Sequence, residues 1–170
     1  KAIDTAESLY SENPAKVGPM ISQYYCELAD MATAKGDLSL ADHYANQALR
    51  YDGASVRASI ILADMAMKAG DYRKAKVLLQ QIEKQDAEFL PMVIDKLVEC
   101  HHLQDETEDL LEYLDKLDSR QSSVPLLESH ARVIERYKGQ DAAIGYVMAK
   151  LEKNPSLGAM NQLLSYKKTE

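Results

Sequence analysis

The decapeptide LADMATAKGD at residues 28–37 returns as LADMAMKAGD at residues 62–71. The offset is constant across the two copies: 62 − 28, 70 − 36 and 75 − 41 all give 34. A repeat of this kind constrains the fold strongly. Each copy must form one supersecondary unit that buries its apolar face only by stacking on its neighbours. Within each copy a Gly-Asp pair closes the first segment. Gly36 and Gly70 fit the left-handed residue after a helix, where a side chain costs energy. Asp37 and Asp71 then fit the cap of a second helix. The unit is therefore two helices joined by a tight turn.

Thirty-four residues is the period of the tetratricopeptide repeat (TPR), whereas HEAT and armadillo units run to about 40–47. The TPR pattern is W-x2-L-G-x2-Y, then A-x3-F, then P. This chain resembles it through Tyr25, Leu28, Ala29, Ala32, Ala41 and Ala45, and again through Ser59, Leu62, Ala63, Ala66, Ala75 and Leu79. Tryptophan is missing, and Ala stands for the pattern's Gly and Tyr. The expectation is all-α: a TPR-like α-solenoid of stacked antiparallel helix pairs, forming a single domain over residues 1–170.

In chain order, residues 1–11 read as a helix, with Asn13 and Pro14 ending it. Residues 1–19 then make a half repeat, with Pro14, Gly18 and Pro19 in a link over 12–19. The first full repeat covers about 22–55, with helices near 20–35 and 38–51. The second covers about 56–89, with helices near 54–69 and 72–84. Short side chains at Ala29, Ala32 and Ala41, and at Ala63, Ala66 and Ala75, let paired helices approach, with Leu28 and Leu62 filling the core beside them. The third, about 91–124, is degenerate. Its helices fall near 88–103 and 106–117, Gln104-Asp105 replaces Gly-Asp, and Leu110 replaces the small residue, so looser or altered packing is expected. The fourth covers about 124–157, with helices near 125–137 and 141–152, and a last helix runs over 157–167. The start inside a half repeat and the end after a first helix read as an excised piece of a longer protein.

Beyond the generic repeat, KAID, QYYCELAD, SVRASI, MAMKAGDYRKA and VECHHLQ occur in this order. Together they resemble the bacterial lipopolysaccharide assembly protein B (LapB) family, well up to Gln104 and weakly beyond. The resemblance implies an adaptor on the cytoplasmic side of the inner membrane. It implies an N-terminal membrane anchor and a C-terminal rubredoxin-like metal domain, both outside this stretch. It also implies two protein partners, the FtsH protease and the LpxC deacetylase, which FtsH degrades to control lipopolysaccharide synthesis. The alternatives are a structural or dimerising TPR segment and a scaffold in an unrelated pathway.

Bulk properties narrow the function. The chain has 170 residues and a formal charge of −7. That balance argues against binding phosphate backbones or an anionic membrane surface. No run reaches 18 apolar residues, as a spanning helix needs. Cys26 and Cys100 are too few for a disulfide framework. Cys100-His101-His102 cannot converge on one ion, because adjacent helical side chains diverge by about 100°. These three, with His43 and His130, read as a packed thiol and helix-surface histidines, and Cys26 as a semi-buried thiol. Ser129-His130 lacks a third partner, and Glu106/Glu108 and Asp115/Asp118 read as solvated faces. Tyr25, Tyr72, Tyr113 and Tyr137 fall at packing positions. No catalytic, cofactor or metal site is expected in this stretch.

The first helices of a TPR stack line its inner face. By repeat position, a protein-binding surface is expected at Asp30, Arg57, Ile60, Asp64, Met67, Lys68, Met92, Asp95, Glu99 and Arg132. Asp30, Asp64 and Glu99 are equivalent and form an acidic row, with Arg57 and Lys68 flanking Asp64. Such a row suits a partner segment carrying Lys or Arg, and disfavours the carboxylate-clamp chemistry of chaperone-docking grooves.

Overall fold

The structure, a computed structural model, describes residues 5, 9, 10, 13–120 and 123–167. The expected helix over 1–11 lies largely outside these residues. The described part is all-α. Its helices are α1 (Pro14–Ala34), α2 (Leu38–Tyr51), α3 (Val56–Lys68), α4 (Tyr72–Gln85), α5 (Leu90–His102), α6 (Thr107–Arg120), α7 (Val124–Lys138), α8 (Gln140–Lys153) and α9 (Leu157–Lys167). A single 3-10 turn, Ala87–Phe89, precedes α5. The chain divides into two compact units, Lys1–Leu90 and Pro91–Glu170.

In the first unit, α1 pairs with α2 and α3 with α4, and the pairs stack through α2 and α3. Gly36 and Gly70 both sit at φ 78°. The amides of Asp37 and Asp71 bond back to the carbonyls of Ala32 and Ala66, closing each helix end in the six-to-one pattern. Asp37 and Asp71 then accept the amides of Leu40 and Lys74 at 3.0 Å each, as N-caps. A second pair also keeps the 34-residue spacing: Asp52 and Asp86 accept the amides two residues on, at 3.0 Å each.

The core of this unit is rich in alanine. Ala29, Ala32, Ala41, Ala45, Ala48, Ala58, Ala63, Ala66 and Ala75 are all buried. Cys26 packs with Ala48 and Ala58, and Ala29 packs with Ala45 and Leu62. Leu62 thus fills the seam between one pair and the preceding one. Leu28, its equivalent, is only half-buried, contrary to expectation, since no earlier pair is in place to receive it. Tyr25 stacks on Tyr51 at 5.6 Å and lies 6.0 Å from Tyr44, while Tyr10 meets Tyr51 edge-on at 5.1 Å. These rings are half-buried.

The start of α1 corrects the sequence reading. Asn13 and Pro14 open this helix rather than end the one before. The Asn13 side chain caps the Lys16 amide at 3.3 Å, and Pro14 takes the first turn, where its missing N–H costs nothing. The helix then runs through Gly18 and Pro19. The carbonyl that Pro19 cannot bond belongs to Ala15, which is exposed, so water can satisfy it. At Gly18 a Cβ would lie 2.5 Å from the Tyr51 carbonyl oxygen, so glycine there permits the end of α2 to approach α1.

In the second unit, α5 and α6 form the degenerate pair, and α7 and α8 the last full one. The backbones of α5 and α6 stay farther apart than those of the other pairs. The altered packing expected there is present, and its cause is bulk. Leu110, Leu114 and Leu117 on α6 and Val93, Ile94 and Leu97 on α5 are buried where the first unit has alanines. The turn also shifts by one residue. Asp105, not Gln104, holds the left-handed position at φ 56°. His101 organises this loop: its carbonyl accepts the amides of Gln104 and Glu106, and its ring Nδ1 lies 3.1 Å from the Glu106 carbonyl. Between α7 and α8 the turn shrinks to Gly139 alone, at φ 89°. Helix α9 packs on α8 and α7. Gly158 leaves room for Val124, whose methyls would lie 2.5 Å from a Cβ there. At its far end the buried Tyr166 receives Gln140 on its carbonyl, at 3.3 Å.

Candidate interaction surface

The expected binding residues of the first unit lie on α1 and α3, which bear the two LADMA copies. Asp30 is exposed on α1; Ile60, Asp64 and Met67 are half-buried and Lys68 exposed on α3. Arg57 does not flank Asp64. It reaches back from the first turn of α3 to α1, where one guanidinium nitrogen meets Glu27 at 2.6 Å and the other Asp30 at 2.5 Å. The geometry follows from spacing: Glu27 and Asp30 are three residues apart, hence on one face of α1. Hydrogen bonding from Arg57 holds the Glu27 carboxyl below the usual range, and the two carboxylates hold the guanidinium charged. Sequence reasoning missed Glu27, although its spacing from Asp30 was visible. Met20, Tyr24 and Met31 are exposed on the same helix, so acidic and apolar groups share its outer side.

In the second unit the expected residues lie on α5 and α7. Met92 is 69% exposed, and Asp95 and Glu99 are exposed on α5. Arg132 on α7 stands 3.8 Å from Asp95 and donates to Ser129 Oγ at 3.1 Å. The device matches that of the first unit: an arginine on one first helix reaches the acid of the preceding first helix. Asp30 and Asp64 belong to one unit and Glu99 to the other.

A second constellation, inside the second unit, was misread as surface. His130 is 1% exposed and His101 is buried too, so neither is a helix-surface histidine. Asp118 is 5% exposed at its side chain rather than solvated. His130 Nδ1 lies 2.5 Å from Asp118 Oδ2, Tyr146 donates its hydroxyl to the same oxygen, and the Lys150 ammonium stands at 3.5 Å. Asp115 faces the other ring nitrogen of His130 at 3.7 Å. Burial alone would raise the Asp118 pKa. The bonds from His130 and Tyr146, with the charges of His130 and Lys150, outweigh it and hold the carboxyl low. Burial and the same carboxylate push Tyr146 up. The expected Cys100-His101-His102 divergence is present: Cys100 and His101 are buried while His102 is exposed beside Tyr137. Cys26 is fully buried rather than semi-buried, which raises its thiol pKa.

Asp115, Asp118 and His130 could present metal-ligand atoms within 4.8 Å of one another, the set that does so among the described residues. Their lone pairs are already engaged. An incoming cation would meet the Lys150 ammonium and displace the Tyr146 and His130 hydrogen bonds. Ser129 lies beside His130 in sequence and donates nothing to it; its hydroxyl accepts from Arg132. The constellation can tie three helices together, but it presents no exposed nucleophile. Among the described residues no helix is long and apolar enough to cross a membrane.

These features define a helical-hairpin repeat protein whose accessible charged residues lie on the first helices of its pairs. No model of a protein family matches the chain. Curated proteins do. The chain is 30% identical over 166 residues to lipopolysaccharide assembly protein B of Escherichia coli (strain K12), and equally to that of Escherichia coli O157:H7. It is 24% identical over 166 residues to the protein of that name from Haemophilus influenzae. Each alignment covers 98% of the chain, which spans only 43% and 42% of the relatives' lengths. Over this stretch the chain belongs to the lipopolysaccharide assembly protein B family. These relatives are named as assembly proteins, not as enzymes.

Proposed function

We propose that this chain is a TPR protein-interaction module of a lipopolysaccharide-assembly adaptor, and that it binds protein segments on the first-helix faces. One observation carries the reading. The Glu27–Arg57–Asp30 bridge, with exposed Met20, Tyr24 and Met31 beside it, presents charge and apolar contact together on α1. An exposed ion pair of this kind adds little to stability, so its groups are available for exchange with an incoming charged partner. The partner segment carries Lys or Arg to meet Asp30, Asp64 and Glu99, and apolar residues for Ile60, Met67 and Met92. The family resemblance nominates the FtsH protease and the LpxC deacetylase, at the cytoplasmic side of the inner membrane. The module itself works without catalysis, cofactor or metal.

The test is the triple change Asp30→Lys, Asp64→Lys, Glu99→Lys. Helicity by circular dichroism should survive, because none of the three is buried. Affinity for FtsH or LpxC should fall, and the parent's binding should weaken with salt. A folded triple variant that binds like the parent would move the site off these faces. Chelator treatment should leave helicity and binding unchanged; a loss of either would reinstate a metal at Asp115, Asp118 and His130.

A further inference from the structure

Between α8 and α9 runs a groove of about 280 Å³, lined by Ile144, Met148, Leu151, Met160, Leu163 and Leu164. Its meaning comes from register. Helices α2 and α8 begin at Leu38 and Gln140 and end at Tyr51 and Lys153, so both ends are 102 residues apart, or 3 × 34. The same offset equates Leu49 with Leu151, Ala58 with Met160, Ile61 with Leu163 and Leu62 with Leu164. In the first unit these positions are core. Ala58 is 0% and Leu62 2% exposed, and Leu49 and Ile61 pack against their clusters. Helix α4 covers them: Leu78 packs on the Ala29–Ala45–Leu62 cluster, and Lys74 reaches Asp42 of α2 at 3.6 Å. In the second unit the equivalents are bare, with Met160 50% and Leu164 52% exposed.

We infer that this groove seats one further amphipathic helix, which stands against α8 and α9 as α4 stands against α2 and α3, and that the same polypeptide supplies it downstream of α9. The helix makes a hairpin with α9. Two observations favour the chain itself over a second copy or a foreign partner. In both pairs of the first unit, and in α7 with α8, a first helix is covered by the helix that follows it in sequence. The family's proteins are also more than twice as long as the stretch shared with this chain. Tethering through a short turn gives the covering helix an effective concentration in the millimolar range, ahead of any separate partner. The groove also specifies the helix. Its buried face repeats the spacing of Ala75, Leu79 and Ile82 on α4. Asp42 and Asn46 correspond to Ile144 and Met148, so the helix carries an apolar residue where α4 has Lys74. This inference is independent of the first-helix binding faces.

The experiment labels a thiol placed in the groove. Cys26 and Cys100 are 0% exposed, so neither competes for a maleimide in the folded protein. Leu164→Cys, and separately Met160→Cys, are made in the 170-residue chain and in the full-length gene product. Both thiols should label rapidly in the 170-residue chain. In the full-length protein they should label at least about tenfold more slowly, at every protein concentration, since the site reacts only when the hairpin opens. Equal rates in the two proteins would overturn the inference. Protection that disappears on dilution, or that already exists in the 170-residue chain alongside a doubled mass, would assign the groove to a second copy instead and overturn it too.

Discussion

The first unit and the α5–α6 pair solve one packing problem in opposite ways. In the first, helices joined by three-residue turns approach closely because alanines line the seams. In the pair, buried leucine, valine and isoleucine hold the backbones apart, and a longer loop with Asp105 in the left-handed position spans the gap. The comparison separates what a hairpin repeat needs from what it can vary. A left-handed residue, a returning amide bond and a filled seam occur in both. The identity of that residue, the distance between helices and the seam's composition do not carry over. Where the seam widened, the second unit also gained a buried polar tie at Asp118.

That difference can be broken most severely at Asp118. Asp118→Ala removes the acceptor shared by His130, Tyr146 and Lys150 and should cost the second unit about 3–5 kcal/mol, because it leaves buried charge uncompensated. Hydrogen exchange of the α6, α7 and α8 amides, compared with those of α2 and α3, localises the loss. The folded carboxyl titrates below its unfolded value, so it stabilises the fold above the unfolded pKa, and the stabilisation is lost as pH falls through the folded one. Parent and Asp118→Asn melting temperatures should therefore differ most near neutrality and converge in acid. A difference that grows in acid would contradict this.

Core substitutions come next. Leu114→Ala should cost about 2–5 kcal/mol by opening a cavity between widely spaced helices. The reverse change in the first unit, Ala45→Leu, should cost about 1–3 kcal/mol by forcing a tight seam open. If denaturant melts showed Ala45→Leu to be neutral, the alanine seams would be loose. Smaller still, Gly70→Val should cost about 1–2 kcal/mol at φ 78°, and Gln104→Val should cost clearly less, since Gln104 is outside the left-handed region. Equal melting temperatures would misplace the turn. Smallest is a gain: Asp105→Gly should stabilise the second unit by up to about 1 kcal/mol, and Gln104→Gly should not.

Legibility in the sequence followed the reach of each interaction. The turns of the first two pairs could be read from Gly36, Asp37, Gly70 and Asp71 because their bonds close within a few residues. The start of α1 could not, because Pro14 and Pro19 signal a break unless Asn13 caps the helix and water satisfies Ala15. Asp105 was hidden by one inserted residue, which moved the left-handed site off the 34-residue grid. The Arg57 bridge was half legible: its charges were visible, but the partner of an arginine 27 and 30 residues downstream depends on how two helices stack. Asp118 was illegible. Its partners lie 12, 28 and 32 residues away on two other helices, and a short-range reading of an acidic stretch gives a solvated face.

The convergence at Asp118 also bears on how the second unit folds. The carboxylate on α6 is compensated only when α7 supplies His130 and α8 supplies Tyr146 and Lys150. Any partly assembled form with two of the three helices docked would bury that charge without its full set of donors. Such forms are raised in energy while the complete unit is not, which empties the middle of the pathway. A linear array of hairpins can fray one repeat at a time. A buried charge shared by three successive helices works against fraying and makes this stretch gain or lose its structure in one step.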